Sequence, residues 1–226
     1  MIKETVIISL GGSLIVPDGI DWRFLKAFRE LILKHSNRKR FVIITGGGKT
    51  ARNYIQAAAA IAKTSSNDRD WLGIYATRLN AHLVRTLFGK KAYPTIIENP
   101  NAKLVSKQNI IIAAGYKPGC STDYDAVLMA KNLGAKSMVN LTNITYVYKH
   151  NPKVYKHQKP IKHISWEGFQ RIVGNKWKPG ANLPFDPIAT RMATKLKLKV
   201  YMLNGKLIKN LDNFLAGKRF IGSIIS

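Results

Sequence analysis

Two glycine turns are the residues best suited to chemistry. Gly11-Gly12-Ser13 follows the apolar run Thr5–Leu10, and Gly46-Gly47-Gly48 follows Phe41–Thr45. Glycine lets backbone N–H groups approach an anion with no Cβ in the way, and a helix starting there adds favourable partial charge. Both turns therefore suit phosphate, at the carboxyl ends of strands where open α/β sheets take their ligands. Turns also need glycine for their own geometry, so that plainer reading stands beside the phosphate one. Gly48-Lys49-Thr50 has the form of a P-loop ending, but Ile43 stands where that motif needs its first glycine. No G-x-G-x-x-G follows the first strand. The histidines are scattered and Cys120 is the one cysteine, so the sequence holds no metal cage and no disulfide framework.

The elements that must position these turns alternate between strand and helix, the pattern of a largely parallel sheet with helices on both faces. The expected fold is α/β, a three-layer open, mostly parallel sheet. Phe24, Leu25, Phe28, Leu31 and Ile32 repeat on one face of a helix running from an Asp21 cap to His35. Further helices are predicted from Lys49, through Arg52, to about Ala62 and from Trp71 to Phe88. Strands are expected at Tyr93–Ile97, Ile110–Ala114, Ser137–Leu141 and Val200–Leu203. The Gly115–Thr122 loop precedes a helix from Asp123 to Leu133. Asp186-Pro187 opens another helix, with proline at its first position. A short helix near Leu211–Ala216 follows, and Phe220–Ile225 reads as an edge strand. No long linker divides the chain, which reads as one unit, residues 1–226, with a nominal seam near residue 143.

At 226 residues and 46% hydrophobic composition, the chain can bury a substantial core. Its apolar runs are strand-length, too short to span a bilayer, and Glu4 and the first glycine turn interrupt any signal-peptide pattern. A lone cysteine fits a reducing cytoplasm. Charge is the unusual feature: 37 basic against 12 acidic residues give +25. Such a field attracts polyanions, whether nucleotide, nucleic acid or acidic lipid. A general basic bias of a solvated surface is the simpler reading, since no known nucleic-acid-binding motif is present.

The ordered set of motifs goes further. Gly11-Gly12-Ser13 is followed by Gly46-Gly47-Gly48-Lys49-x-Ala51-Arg52 and then Asp70-x-x-Gly73-Ile74-x-x-Thr77-Arg78-x-Asn80-Ala81. Gly115-x-x-Pro118-Gly119-x-Ser121-Thr122-Asp123 and Leu141-Thr142-Asn143-x-x-x-Val147-Tyr148 come next, with Asp186-Pro187 and Gly222-Ser223-Ile224-Ile225 at the end. In order and over nearly the whole chain, this resembles the UMP kinases, most closely the shorter archaeal-type branch of the amino-acid-kinase superfamily. The resemblance implies transfer of the ATP γ-phosphate to UMP, giving UDP and ADP in pyrimidine nucleotide synthesis. It implies a phosphate-acceptor half, 1–143, and an ATP-binding half, 144–226. Gly12, Ser13 and Gly48 would hold ATP phosphates, with Thr142, Asn143, Tyr148 and Asn151 around the adenine and ribose. Gly47 would approach UMP, and Asp70 would accept from the UMP ribose hydroxyls. Tyr116, Lys117, Pro118, Gly119, Cys120, Ser121 and Thr122 would wrap the uracil and acceptor phosphate. Arg52 would fork onto a phosphate, and Asp123 would orient a catalytic lysine or shape the phosphate site. Mg²⁺ would ride on the ATP phosphates with no dedicated protein ligand. The family also suggests a hexamer.

Three positions depart from the family pattern. Ser9 stands where a lysine usually precedes the first glycine pair, Thr145-Tyr146 replaces an Asp-Gly, and Asn151 replaces an aspartate before Pro152. Lys49 is therefore expected to supply part of the charge that the lysine at position 9 would give. The alternatives are a kinase for another small phosphate or acid, and a relative of this fold that binds nucleotide or oxyanion without catalysis. A nucleic-acid-binding protein is the third.

Overall fold

The computed structural model describes residues 3–150, 155, 157–175 and 183–226. The apolar, β-branched runs form seven strands: β1 (Glu4–Leu10), β2 (Lys39–Thr45), β3 (Ile110–Ala113), β4 (Ser137–Thr142), β5 (His163–Ile164), β6 (Lys199–Asn204) and β7 (Ser223–Ile225). They make one sheet in the order β3-β2-β1-β4-β6-β7-β5. β1, β2, β3, β4 and β6 are parallel, whereas β7 runs antiparallel to β6 and pairs in parallel with β5.

Among the described residues, eight α-helices cover the two faces: α1 (Gly12–Ile15), α2 (Trp22–His35), α3 (Gly48–Ile61), α4 (Ser66–Phe88), α5 (Thr122–Asn132), α6 (Trp166–Val173), α7 (Pro187–Lys195) and α8 (Ile208–Leu215). The two-residue period of a strand sorts the core. Val6, Ile8 and Leu10 of β1 pack with α1, α2, α4 and α8, while Ile7 packs on the other face with α5, α6 and α7. The expected three-layer, mostly parallel architecture is thus the one observed. Asp21 caps α2 by accepting from the Phe24 N–H at 3.0 Å, and Asp186 caps α7 with Pro187 in its first turn.

Several local expectations are corrected. Gly12 and Ser13 open the short helix α1 instead of forming an open turn. Residues 93–97 touch β3 through bridges at Ala92 and Ile97 but form no strand of their own. α4 starts at Ser66, ahead of Trp71, because Ser65 caps it and accepts from the Asp68 N–H at 3.1 Å. β7 is not an edge strand, since the two-residue β5 lies outside it. So short a strand leaves no periodic signal in sequence. Among the described residues, no helix is long and apolar enough to cross a membrane.

β1 has neighbours reached by connections on opposite sides, β2 and β4, so a crevice opens beyond its carboxyl end. Both glycine turns fall at that crevice.

Candidate active site

The site is built around close approach of the two glycine turns. A Cβ on Gly12 would meet the Gly46 carbonyl carbon at 2.6 Å and the Gly48 Cα at 2.7 Å, so only glycine fits there. Gly48 has φ +63, the left-handed region where a side chain is strained. The Gly46 N–H donates to the Leu10 carbonyl at 2.9 Å, which ties the second turn to the end of β1. Backbone from two turns therefore converges on one spot, at the N-termini of α1 and α3.

α4 holds that cradle from behind. Asn80 Nδ2 donates to the carbonyls of Gly46 at 2.8 Å and Gly47 at 3.2 Å. Thr77 Oγ1 accepts from the Gly115 N–H at 2.8 Å, while Thr45 Oγ1 donates to the Thr77 carbonyl at 3.0 Å. Arg78 pairs with Glu98 at 3.1 Å and donates to the Tyr116 carbonyl at 3.4 Å. Thr77, Arg78 and Asn80 thus fasten the second glycine turn and the start of the 115–122 loop to one helix. Their role was not assigned from sequence, although their polar types within an otherwise packed helix are the available signal.

Around the cradle lies a cleft of about 590 Å³. It is lined by Gly12, Ser13, Gly47, Gly48 and Arg52 at the glycine turns, and by Asp70, Cys120, Ser121, Thr122 and Asp123 opposite. Thr142 and Asn143, beyond β4, complete it. Most of the residues expected from sequence therefore come together. Tyr116, Lys117, Pro118 and Gly119 belong to the same loop but do not line the cleft, nor do Lys49 and Tyr148. Asn151 lies outside the described residues. Asp70 reaches across to accept from the Gly119 N–H at 2.9 Å, so α4 and the loop are tied by a candidate binding residue.

Of the lining residues without a reading in the sequence, Arg69 and Asn140 are the polar ones, the others being Ile55, Leu183 and Pro184. Arg69 lies on the same helical face as Gly73 and Thr77, at four-residue spacing, and joins Arg52 as the second cation of the cleft wall. Asn140 lies beside Ser9 in the parallel ladder between β1 and β4. Both side chains point to α5, where Asp123 Oδ1 accepts from Ser9 Oγ at 2.9 Å and from Asn140 Nδ2 at 3.2 Å. Ser121 is the cap of α5, accepting from the Tyr124 N–H at 3.1 Å, which leaves Asp123 to face the cleft.

Electrostatics here is dominated by carboxylates away from water. Burial pushes Asp123 up to about 7, aided by the charge of Asp186 and opposed by the Ser9 hydrogen bond. Burial also pushes Asp125 up to about 7, against the Tyr116 N–H that donates to it at 3.1 Å. The Cys120 thiol is raised to about 11, first by burial and then by the charge of Asp125, so it stays a neutral thiol at pH 7.

Asp125 makes this testable through stability. Its folded value lies above its ordinary 3.8, so the folded state holds the proton more tightly and stability falls as pH rises between those two values. Below that window the group is neutral in both states, and above it a buried charge is a standing cost. Asp125→Asn keeps an oxygen for the Tyr116 N–H. Its melting temperature should exceed the parent's at pH 8, by on the order of 1–3 kcal/mol of stability. The two should converge near pH 4. Thermal denaturation at both pH values checks it, and an equal difference at both would show that ionisation is not the cause.

With this geometry in hand, likeness to known proteins is informative. The model of the Amino acid kinase family matches residues 4–204. The uridylate kinase of Thermoplasma volcanium is 34% identical over 219 residues, covering 96% of this chain and 95% of that protein. The uridylate kinase of Hyperthermus butylicus is 34% identical over 233 residues, with both chains covered in full. The solved structure of the Archaeoglobus fulgidus uridylate kinase superposes with a TM-score of 0.83 at 27% identity, covering 98% of this chain and 99% of the other. Paired glycine turns beyond β1 and β2, the parallel sheet that carries them and the matching family model agree: the chain belongs to the amino acid kinase family.

Proposed function

We propose that this protein is a UMP kinase, which transfers the γ-phosphate of ATP to UMP to give UDP and ADP. The observation that carries this reading is full-length similarity to uridylate kinases, joined to a single cleft that brings the glycine cradle opposite Asp70 and the 120–123 turn.

In this reading the cradle at Gly12, Ser13 and Gly48 takes ATP phosphates on backbone N–H groups, and Thr142 and Asn143 border the rest of the nucleotide. Tyr148 and Asn151 belong to the same ATP side by resemblance. Gly47, Asp70 and the loop from Tyr116 through Lys117, Pro118, Gly119, Cys120 and Ser121 to Thr122 take UMP. Residues 1–143 are then the nominal acceptor half, which also lends its glycine turns, Thr142 and Asn143 to ATP, and 144–226 the nominal ATP half. Arg52, and Arg69 beside it, offset charge on the transferred group, which passes between the two phosphates by in-line displacement. Lys49, at the start of α3, reaches the phosphates only by swinging its stem inward.

Mg²⁺ fits this donor set as an ion held mainly by nucleotide. No group of three His, Cys, Asp or Glu among the described residues could cage a metal, and Asp123 is a carboxylate facing the cleft. Magnesium characteristically takes one or two protein carboxylates plus substrate phosphates. When bound it would neutralise charge on the phosphates. The family likeness suggests a hexamer working in the cytoplasm.

With ATP and Mg²⁺, UMP should be used at least about tenfold better than CMP by kcat/KM, equivalent to about 1.4 kcal/mol. A coupled ADP-release assay over UMP, CMP, AMP and GMP measures this, and equal rates for all four would overturn the assignment. A non-catalytic binder is the second reading. It is favoured by one observation: Asp123 meets Ser9 where the family pattern has a lysine. Calorimetric binding of ATP and UMP without turnover would establish it.

A further inference from the structure

The excess positive charge is not spread evenly. β1, β2, β3, β4 and β6 begin almost level, as the pairings Glu4 with Lys39, Phe41 with Ile110 and Ser137 with Lys199 require. This edge is opposite the cleft. The segments that reach it carry exposed cations in turn: Arg38 before β2, Lys91 after α4, Lys107 before β3, Lys136 before β4, Lys197 before β6 and Lys218 after α8. The acids among the described residues there are Glu4, paired with Lys39, Asp212, paired with Lys34 and His35, and the exposed Glu167, which follows β5 beside Trp166, whose ring N–H donates to the Leu198 carbonyl. In contrast, Asp70, Asp123, Asp125 and Asp186 gather at the cleft end.

Helix dipoles account for part of the pattern, because α2, α5 and α7 end in basic last turns. They do not account for Arg38, Lys107, Lys136 or Lys197, which lie beyond the helix ends. We infer that this edge is a docking face for the phosphate backbone of a double-helical nucleic acid.

The form of the face selects the partner. Five strands at about 4.8 Å spacing make it roughly 20 Å wide, a length over which a duplex presents on the order of a dozen charges. A membrane-binding surface needs apolar anchors. Of the exposed large apolar residues, Val105 and Ile221 are on these connections, and Ile221 is tied by its backbone to Asn210 at the start of α8, away from this edge. Single strands need aromatic stacking platforms, and the nearby rings of Tyr201, Phe214 and Phe220 are packed against one another. A duplex read through its backbone needs neither.

Fluorescence anisotropy with a 24-base-pair RNA duplex and the matching DNA duplex tests this, with phosphatidylserine vesicles as the third arm. Binding of either duplex should be independent of sequence and weaken about 10²-fold between 50 and 200 mM salt. The triple variant Arg38→Glu, Lys136→Glu, Lys197→Glu should lose at least about tenfold in affinity at low salt. It should keep parent kinetics with ATP and UMP. A control triple, Lys26→Glu, Lys63→Glu, Lys159→Glu, changes net charge equally on other exposed surfaces and should bind as the parent does. Equal losses in both triples would mean diffuse charge and overturn the proposal. So would binding of the vesicles alone, or no duplex binding at 50 mM salt. The RNA-to-DNA affinity ratio identifies which helix form is the better source.

Discussion

Gly12→Ala should reduce kcat/KM by about 10³-fold or more. Its new methyl would fall at 2.6 Å from the Gly46 carbonyl carbon and closer still to the Gly48 nitrogen. Both neighbours are backbone, so no side-chain rotation relieves the clash, and the two turns must separate. Separation misaims the N–H groups of both turns at once. Losing one such donor typically costs about 10²–10³ in rate. Forcing an extra carbon into packed backbone also costs about 1–3 kcal/mol of stability, so the melting temperature should fall while the sheet survives. Gly19→Ala is the control, since nothing lies within 4 Å of a Cβ there. Steady-state kinetics and thermal denaturation on both variants decide it. Parent-like turnover in Gly12→Ala would mean that the cradle does not hold the reacting phosphates.

That prediction uses a feature half legible in sequence. A glycine pair after an apolar strand is visible locally, and so is the likelihood of a phosphate behind it. The face-to-face contact of Gly12 with Gly46 and Gly48 is not, because it depends on β1 and β2 being parallel neighbours in a particular register. The same limit hid the setting of Asp123. Its partner Ser9 is 114 residues away, and Asn140 faces it only through the β1–β4 ladder. Arg69 is readable in principle, since helical spacing places it with Gly73 and Thr77, but it stands one residue ahead of the motif that begins at Asp70. Asp125 carries no sequence sign of burial, for a helix shows its packed face only once its neighbours are known. The expected edge strand at Phe220–Ile225 is present only as Ser223–Ile225, and it lies inside the sheet because β5, too short to announce itself, flanks it. Local chemistry is written in the chain, whereas the environment of each charged group is set by register.

Asp123→Asn is expected to lower kcat by about 10²–10³, with far smaller changes in KM for ATP and UMP. Asp123 faces the cleft between the glycine cradle and the 120–122 turn, with Oδ1 fixed by Ser9 and Asn140. A carboxylate so placed would hold cationic charge, magnesium or an ammonium, toward the transferring group in the proposed reaction. Burial raises it to about 7, so it is ionised only in part at neutral pH. The charged form is the useful one, and kcat/KM of the parent, which reports the free enzyme, should therefore rise with pH through that value. The Asn variant should lose this limb. Ser9→Lys would put an ammonium beside the carboxylate and favour its ionised form, moving the limb to lower pH. Unfolding does not mimic the result, because the sign of the stability effect is opposite. Removing a half-buried charge should leave Asp123→Asn at least as stable as the parent at pH 8, and closer to it near pH 4. A slower but no less stable enzyme with a flat pH profile is the expected outcome. An Asn variant with the parent's kcat and an unchanged limb would remove Asp123 from the chemistry and leave Arg52 and Arg69 as the cleft residues to test next.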